Sequence, residues 1–152
     1  MTDLHQRRSD ISEKVIFRLY QAANLANRKA SIALKTFKLS PQQASILGLL
    51  SRPGYETGMT INQLVNYLMV SRQNLNGVLK RIEKAGYIER SVNPLDQRSR
   101  QVRLSREGWR IWKEVEPVIE EFYRRGLQFI PADEQEERIL GLNRLIASLK
   151  QL

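Results

Sequence analysis

The sequence has no cysteine and only one histidine, His5, among its 152 residues. Without cysteine the chain has no disulfide framework, no thiolate metal site and no thiol nucleophile, and we expect it to reside in a reducing cytoplasm. Acidic groups such as Glu120-Glu121 are typical of helix surfaces, where carboxylates are well solvated. We therefore expect no enzymatic activity, no catalytic residue, no cofactor and no bound metal.

Long hydrophobic runs and glycine-rich phosphate loops are also missing. No segment approaches the length of a membrane span, and the N terminus lacks the hydrophobic stretch of a signal peptide. A chain of this length is long enough to bury a core. We expect one compact domain, with or without a dimerisation extension, and no contact with a membrane.

The charge is large and unevenly distributed. The net charge is +9, and residues 72–110 alone carry 10 basic and 4 acidic side chains, whereas residues 111–152 carry 6 basic and 8 acidic ones. Most charge runs are only solvated surface. Here the basic segment coincides with a motif whose geometry suits the grooves of a DNA duplex. This indicates a polyanionic partner, double-stranded DNA.

That motif contains a helix with a clear start and end. Ser71 is a good N-cap, Gly86 is suited to end the helix, and Leu75, Val78, Leu79 and Ile82 form an apolar stripe. The outward positions hold long donors and amides, which suit base edges and phosphates. The candidate DNA contacts on this helix are Ser71, Arg72, Gln73, Asn74, Asn76 and Lys80.

A shorter helix precedes it, and a basic ribbon follows. Thr60 is a cap for the first helix, whose apolar positions Ile61, Leu64, Val65 and Leu68 have helical spacing. Tyr87 to Arg90 and Gln101 to Leu104 read as two strands, with residues 93–96 as the loop and Met59-Thr60 as a very short third strand. The pattern predicts a helix-turn-helix with a wing, in which the second helix enters the major groove.

The tip of the ribbon is rich in arginine. Arg98 and Arg100 are placed to enter the minor groove, where groove width and negative potential are read. Asp96 lies two residues before Arg98 and is expected to orient its guanidinium by a bidentate hydrogen bond. These three residues complete the predicted DNA site.

The segment SRQNLNGVLKRIEKAGYIER followed by NPLDQRSRQVRLSREG resembles the multiple antibiotic resistance regulator (MarR) family of dimeric winged-helix transcription factors. The wing matches best, because Asp96, Arg98, Val102, Leu104, Ser105 and Gly108 fit the family's D-x-R…V-x-L-[ST]-x-x-G run. The resemblance implies a recognition helix at residues 72–85 and a minor-groove arginine at Arg98. The chain departs from the family at Gly77, where recognition helices seldom carry glycine.

Long apolar helices are predicted on both sides of this motif. One spans about Ser9 to Phe37 with Ser9 or Asp10 as its cap, a second starts at Ser40-Pro41, a third runs from Ser105 to Phe129 around Pro117, and the last covers Glu134 to Leu152. The end helices are more apolar than a small wing domain buries. We predict a mainly α (α+β) homodimer: residues 1–38 and 106–152 form a helical dimerisation region, and residues 39–105 form the winged helix-turn-helix domain.

The same resemblance implies a regulatory cavity between these regions that takes a small aromatic carboxylate or a phenol. Trp109 and Trp112, with Ser31 and Lys35, lie where such a cavity would open, although tryptophans are more often core residues. The expected function is a ligand-responsive repressor that binds a pseudo-palindromic operator. Two alternatives stay open: a non-specific or architectural DNA binder, and a winged helix that binds RNA or protein.

Overall fold

The computed structural model describes the backbone of residues 2–93 and 96–152, and the side chains of residue 7 and residues 9–92 and 100–152. The elements in chain order are α1 (Thr2–Ala33), a 3-10 helix (Lys35–Phe37), α2 (Pro41–Leu50), β1 (Met59–Thr60), α3 (Ile61–Leu68), α4 (Arg72–Lys84), β2 (Ile88–Asn93), β3 (Asp96–Leu104), α5 (Arg106–Leu127) and α6 (Ala132–Leu149). This order confirms the mainly α winged helix-turn-helix prediction. None of the described helices has the length and apolar character that a membrane crossing needs.

Two of the predicted caps form reciprocal hydrogen-bond pairs. At the start of α2, the Gln43 N–H donates to the Ser40 hydroxyl (3.2 Å) and the Ser40 N–H donates to the Gln43 side chain (2.7 Å). Thr60 and Gln63 repeat this pairing at the start of α3. Each pair satisfies two N–H groups that would otherwise lack an acceptor, so both helix starts are fixed locally.

Several helix boundaries differ from the prediction. The cap at Ser9 or Asp10 is wrong, because α1 begins at Thr2 and neither proline nor glycine interrupts residues 2–33. The predicted end at Phe37 is also wrong, because α1 stops at Ala33 and a separate 3-10 turn follows. Lys38 then adopts a left-handed conformation (φ 55°), which prevents the chain from continuing as a helix.

The C-terminal helices are likewise shifted. Helix α5 ends at Leu127 instead of Phe129, where the Ile130 N–H donates to the Leu127 carbonyl and closes a turn. Helix α6 begins at Ala132, directly after the Pro131 cap, and ends at Leu149 instead of Leu152. Proline suits a helix start because its missing N–H is not needed there.

Within the described residues, the three strands form one antiparallel sheet in the order β1-β3-β2. Met59 pairs with Val102, which confirms the predicted short third strand, and Ile88 pairs with Leu104. The predicted wing strands were too short, since pairing continues past Val92 opposite Arg100 to Asn93 opposite Asp96. Asn93 and Asp96, which were predicted to lie in the loop, are therefore strand residues. Apolar and polar residues do not alternate in this part of the ribbon, so the sequence pattern did not predict a strand there.

The chain divides into two compact units, Met1–Ile119 and Glu120–Leu152. The first holds the hydrophobic core, to which α2, α3, α4, the sheet and the first half of α5 contribute. Its fully buried members include Leu34, Ile46, Leu47, Leu64, Leu75, Leu79, Ile82, Val102 and Val115. The apolar stripe predicted for α4 is thus confirmed as its core face.

The second unit contains the end of α5 and helix α6. Exposed ion pairs lie along its helices, Arg124 with Glu121 (2.7 Å) and Arg138 with Glu134 (2.9 Å). The Gln135 side chain donates to the Ile130 carbonyl (2.7 Å) and fixes the turn between the helices. No residue of α6 is buried in the single chain, so its apolar side chains are at least partly open to solvent.

Candidate nucleic-acid interface

Helix α4 is held at both ends by local hydrogen bonds. The Ser71 hydroxyl accepts the Asn74 N–H (3.1 Å) at the start. At the end, Gly86 has a φ of 80°, and the N–H groups of Gly86 and Tyr87 donate to the carbonyls of Glu83 and Ile82. This is the Schellman arrangement, which satisfies the last carbonyls of a helix and needs glycine at the left-handed position. The helix is therefore a defined platform for its outward side chains.

Most of the side chains predicted to contact DNA lie together on the outward face of α4. Arg72, Gln73, Asn76 and Lys80 line one shallow depression together with Gly77. Asn74 is exposed outside this depression, and the Ser71 hydroxyl is engaged as the helix cap. The structure thus brings four of the six helix residues into one surface, and their assignment to DNA stays a prediction.

Arg72 has a partner that the sequence did not indicate. Its guanidinium donates to the side-chain oxygen of Asn62, which is exposed near the start of α3. This hydrogen bond joins the two helices of the helix-turn-helix at the edge of the depression. An arginine restrained in this way loses less rotamer freedom when it binds a ligand. Asn62 was missed because a polar residue in a first helical turn has no distinctive spacing.

A further exposed cation lies beside α3. The Arg52 guanidinium lies 5.4 Å from the centroid of the Tyr67 ring and also donates to the Tyr67 hydroxyl. Such cation–π contacts orient an arginine without neutralising its charge. Arg52 is the only cation in residues 41–71 of the sequence, which is why the charge distribution did not single it out.

Salt bridges connect the wing to its surroundings. Arg90 on β2 donates to Glu83 on α4 (3.0 Å), and Arg103 on β3 pairs with Glu89 on β2 (3.1 Å). Two wing cations are therefore already paired with carboxylates, whereas Arg100 is exposed. The side chains of Asp96 and Arg98 lie outside the described residues, so the expected hydrogen bond between them stays a prediction.

The residues predicted for a ligand pocket are found in different environments. Trp112 is buried in the core, and its indole N–H donates to Glu116 (3.2 Å). Trp109 is 38% exposed and lines a surface depression with Arg106, Glu107, Arg110 and Lys113.

The other two predicted ligand residues lie on the surface. The Ser31 hydroxyl donates to the Asn27 carbonyl (2.8 Å), and Lys35 is exposed in the 3-10 helix. Neither residue lines the depression beside Trp109. Because Ser31 is hydrogen-bonded within its own helix, its hydroxyl proton is already used.

One carboxylate that lines the Trp109 depression, Glu107, has a shifted pKa. The Arg110 guanidinium donates two hydrogen bonds to Glu107 (2.6 and 2.9 Å), which lowers the pKa of the Glu107 carboxyl, while Glu107 raises the pKa of Arg110. Elsewhere, the Gly54 N–H lowers the pKa of Glu56 by donating to its carboxylate. Among the described residues, no group of three His, Asp or Glu side chains is arranged to hold a metal.

Comparison with known proteins identifies relatives of this chain. A family model described as the MarR family matches residues 37–99. The transcriptional activatory protein BadR of Rhodopseudomonas palustris is 33% identical over 144 residues, which cover 94% of this chain and 82% of BadR. The homoprotocatechuate degradative operon repressor of Escherichia coli is 27% identical over 129 residues, which cover 85% of this chain and 85% of the repressor.

Among solved structures, the crystal structure of the S. aureus MepR–DNA complex has the same fold. It superposes with a TM-score of 0.74 at 20% sequence identity, over 89% of this chain and 96% of MepR. Identity at this level supports the fold, while the residues that contact DNA have to be argued from this chain itself.

Proposed function

This chain belongs to the MarR family of DNA-binding transcriptional regulators, and we propose that it is a sequence-specific regulator that binds a pseudo-palindromic operator as a homodimer. The observation that carries the proposal is the depression on α4, where one arginine, one lysine and two amides surround a glycine. Amide and guanidinium groups form bidentate hydrogen bonds with the edges of adenine and guanine. A protein that contacted only phosphates would not need these amides.

The two parts of the motif read different grooves. Helix α4 enters the major groove with Arg72, Gln73 and Asn76 toward base edges and Lys80 toward phosphate. Arg98 and Arg100 of the wing enter the neighbouring minor groove. The salt bridge between Arg90 and Glu83 ties the wing to α4, so both parts approach DNA in one orientation.

Dimerisation follows from apolar side chains that a single chain leaves in water. On α1 these are Ile11, Val15, Phe17, Tyr20, Leu25 and Ile32, and on α6 they are Ile139, Leu140, Leu142 and Leu149. Large exposed apolar side chains in such numbers are typical of interfaces between chains. A two-fold dimer of residues 1–38 and 106–152 would present two α4 helices about 34–36 Å apart, one turn of DNA.

A small aromatic acid or phenol is the proposed effector. The depression beside Trp109 offers a partly exposed indole with Arg106 and Lys113 nearby, which suits a ring that carries a carboxylate. The relative from Escherichia coli is named for an operon that degrades an aromatic acid, homoprotocatechuate. Such an effector releases DNA only insofar as it binds the DNA-incompetent state more tightly.

Repression is the proposed mode, and the Escherichia coli relative is named a repressor. Activation is the second candidate, because BadR is named an activatory protein and is 33% identical to this chain. In vitro transcription from the DNA upstream of the gene for this chain distinguishes repression from activation. If the protein is a repressor, adding it lowers the amount of transcript and adding the effector restores that amount. If it is an activator, adding it raises the amount of transcript.

Fluorescence anisotropy on that upstream duplex and on a scrambled duplex, at low and physiological salt, tests the DNA-binding proposal. We expect selective binding that persists at physiological salt, with two chains per duplex. Gln73→Ala should reduce selectivity at least several-fold, whereas replacement of another exposed glutamine in the C-terminal unit, Gln151→Ala, should not. Equal and steeply salt-sensitive binding to both duplexes would favour a non-specific binder. Preference for RNA would favour the RNA-binding alternative.

A further inference from the structure

Gly77 has no structural reason to be glycine. A Cβ at Gly77 would meet no described heavy atom within 4 Å, and Gly77 is not among the glycines with a positive φ. The contrast with Gly48 is clear, since a Cβ there would lie 2.6 Å from the Trp112 ring. Glycine in an exposed helix interior lowers helix stability relative to alanine. Neither packing nor backbone conformation offsets that loss, which leaves the surface itself as the explanation.

The position of Gly77 on the helix is central to the outward face. At 100° per residue, Gly77 is on the side opposite the buried residues Leu75, Leu79 and Ile82. Gln73 lies one turn before it and Lys80 one turn after it, and all three line the same depression. The missing side chain therefore leaves a gap between two long polar side chains.

The chemistry of the gap selects its occupant. The N–H of residue 77 is used within the helix by the carbonyl of residue 73, so Gly77 itself contributes only Cα–H to the floor of the gap, while the donors of Gln73 and Lys80 lie at its two sides. The apolar group that base edges present in the major groove is the C5-methyl of thymine. We propose that Gly77 is a specificity-determining residue that accommodates the methyl group of one thymine in each half-site. This assignment rests on the proposed operator binding.

The test removes a methyl group from DNA and adds one to the protein. Wild type and Gly77→Ala each select duplexes from a randomised library, and deoxyuridine then replaces thymine at each position of the wild-type consensus. We expect wild type to lose about three- to tenfold in affinity at one position per half-site. Gly77→Ala should bind the thymine duplex roughly tenfold or more weakly. It should recover most of that loss when the same position carries uracil.

Stability and assembly controls exclude a folding artefact. Gly77→Ala should raise the midpoint of thermal unfolding by roughly 2–4 °C, and its sedimentation should match that of wild type. Gly141→Ala on α6, where a Cβ also meets no described atom, should show the same thermal gain with unchanged DNA binding.

Three outcomes would overturn the assignment. Wild-type affinity for Gly77→Ala on the thymine duplex, or the same loss on uracil and scrambled duplexes, would mean that no thymine methyl lies at Gly77. In both cases wild-type selectivity would leave the proposed function intact. A wild type that selects no consensus would instead remove the proposed function, and the assignment with it.

Discussion

At the scale of single residues, Gly108 has the tightest surroundings of the glycines. A Cβ there would lie 1.9 Å from the Tyr87 carbonyl oxygen and 3.3 Å from Leu104. The carbonyl has little freedom to retreat, because it also accepts the Ser105 N–H (3.1 Å). The glycine that the wing motif suggested from its spacing is thus required by a backbone approach, which spacing alone does not reveal.

We expect Gly108→Ala to lower the free energy of unfolding by about 3 kcal/mol, because the added methyl forces α5 away from Tyr87. Urea unfolding followed by circular dichroism measures the change. Gly126→Ala lies in the same helix with open space around it and serves as the control. If both variants unfolded at the same urea concentration, the close approach of α5 to Tyr87 would be refuted.

The hydroxyl of Ser105 joins the same region. It donates to the Gly86 carbonyl and accepts the Gly108 N–H (2.9 Å), and the residue is only 8% exposed. Ser105→Ala leaves both partners without this hydrogen bond and should cost about 1–3 kcal/mol of stability. Ser45→Ala removes an exposed hydroxyl that donates within its own helix, so thermal unfolding of that variant should be nearly unchanged. A Ser105→Ala variant as stable as Ser45→Ala would contradict this bonding pattern.

At the scale of elements, the turn between α3 and α4 contains an unusual backbone conformation. Met69 has a φ of 53°, in the left-handed region, and its side chain is 54% exposed. A side chain with a Cβ is strained there, and exposure leaves it little packing to offset the strain. The helix-turn-helix connection therefore stores strain at Met69.

Met69→Gly should be more stable than Met69→Ala by about 1 kcal/mol, because only glycine adopts this conformation without a Cβ clash. Differential scanning calorimetry of the two variants isolates the backbone effect, since both lose the same methionine contacts. The opposite order, with alanine more stable, would mean that the turn can adopt an ordinary φ.

Elements were predictable from sequence wherever local chemistry marks them, and less so elsewhere. Ser40 and Thr60 start helices through hydrogen bonds to their own first turns, so their positions were read correctly. The start of α1 carries no such signal. The outer part of the wing was also missed, because strand pairing between Val92 and Arg100 depends on the partner strand and not on an apolar pattern.

At the scale of the whole molecule, the proposed dimer makes a direct prediction. Leu142 is 44% exposed on the apolar stripe of α6, so Leu142→Glu would bury a charge in the interface. Sedimentation equilibrium should give about twice the 17.7 kDa chain mass for wild type and a monomer for this variant, which should also lose operator binding.

Ser148→Glu is the matched control for that experiment. Residue 148 is exposed on the same helix and lies on the side opposite the stripe formed by Ile139, Leu142 and Ile146. The added charge is identical but falls outside the proposed interface, so this variant should remain a dimer and bind DNA. Dissociation of both variants, or of neither, would argue against an interface on this face of α6.

The candidate site was predicted in kind more than in detail. Charge, amide-rich composition and helical spacing identified the outward face of α4, because those properties are written in consecutive residues. The hydrogen bond from Arg72 to Asn62 forms only because two helices pack together. The gap at Gly77 depends on which side chains surround it on the outward face of α4. Sequence patterns describe one element at a time, so such features emerge from the fold.

The junction of Gly86, Tyr87 and Ser105 also has a mechanical consequence. The Ser105 hydroxyl donates to the Gly86 carbonyl at the end of α4. The Ser105 N–H, directly before α5, donates to the Tyr87 carbonyl at the base of the wing. We expect the three elements to rotate as one rigid body, because packed and hydrogen-bonded contacts of this kind do not stretch continuously. A small rotation at the first turn of α5 would then displace the far end of α4 by a larger distance.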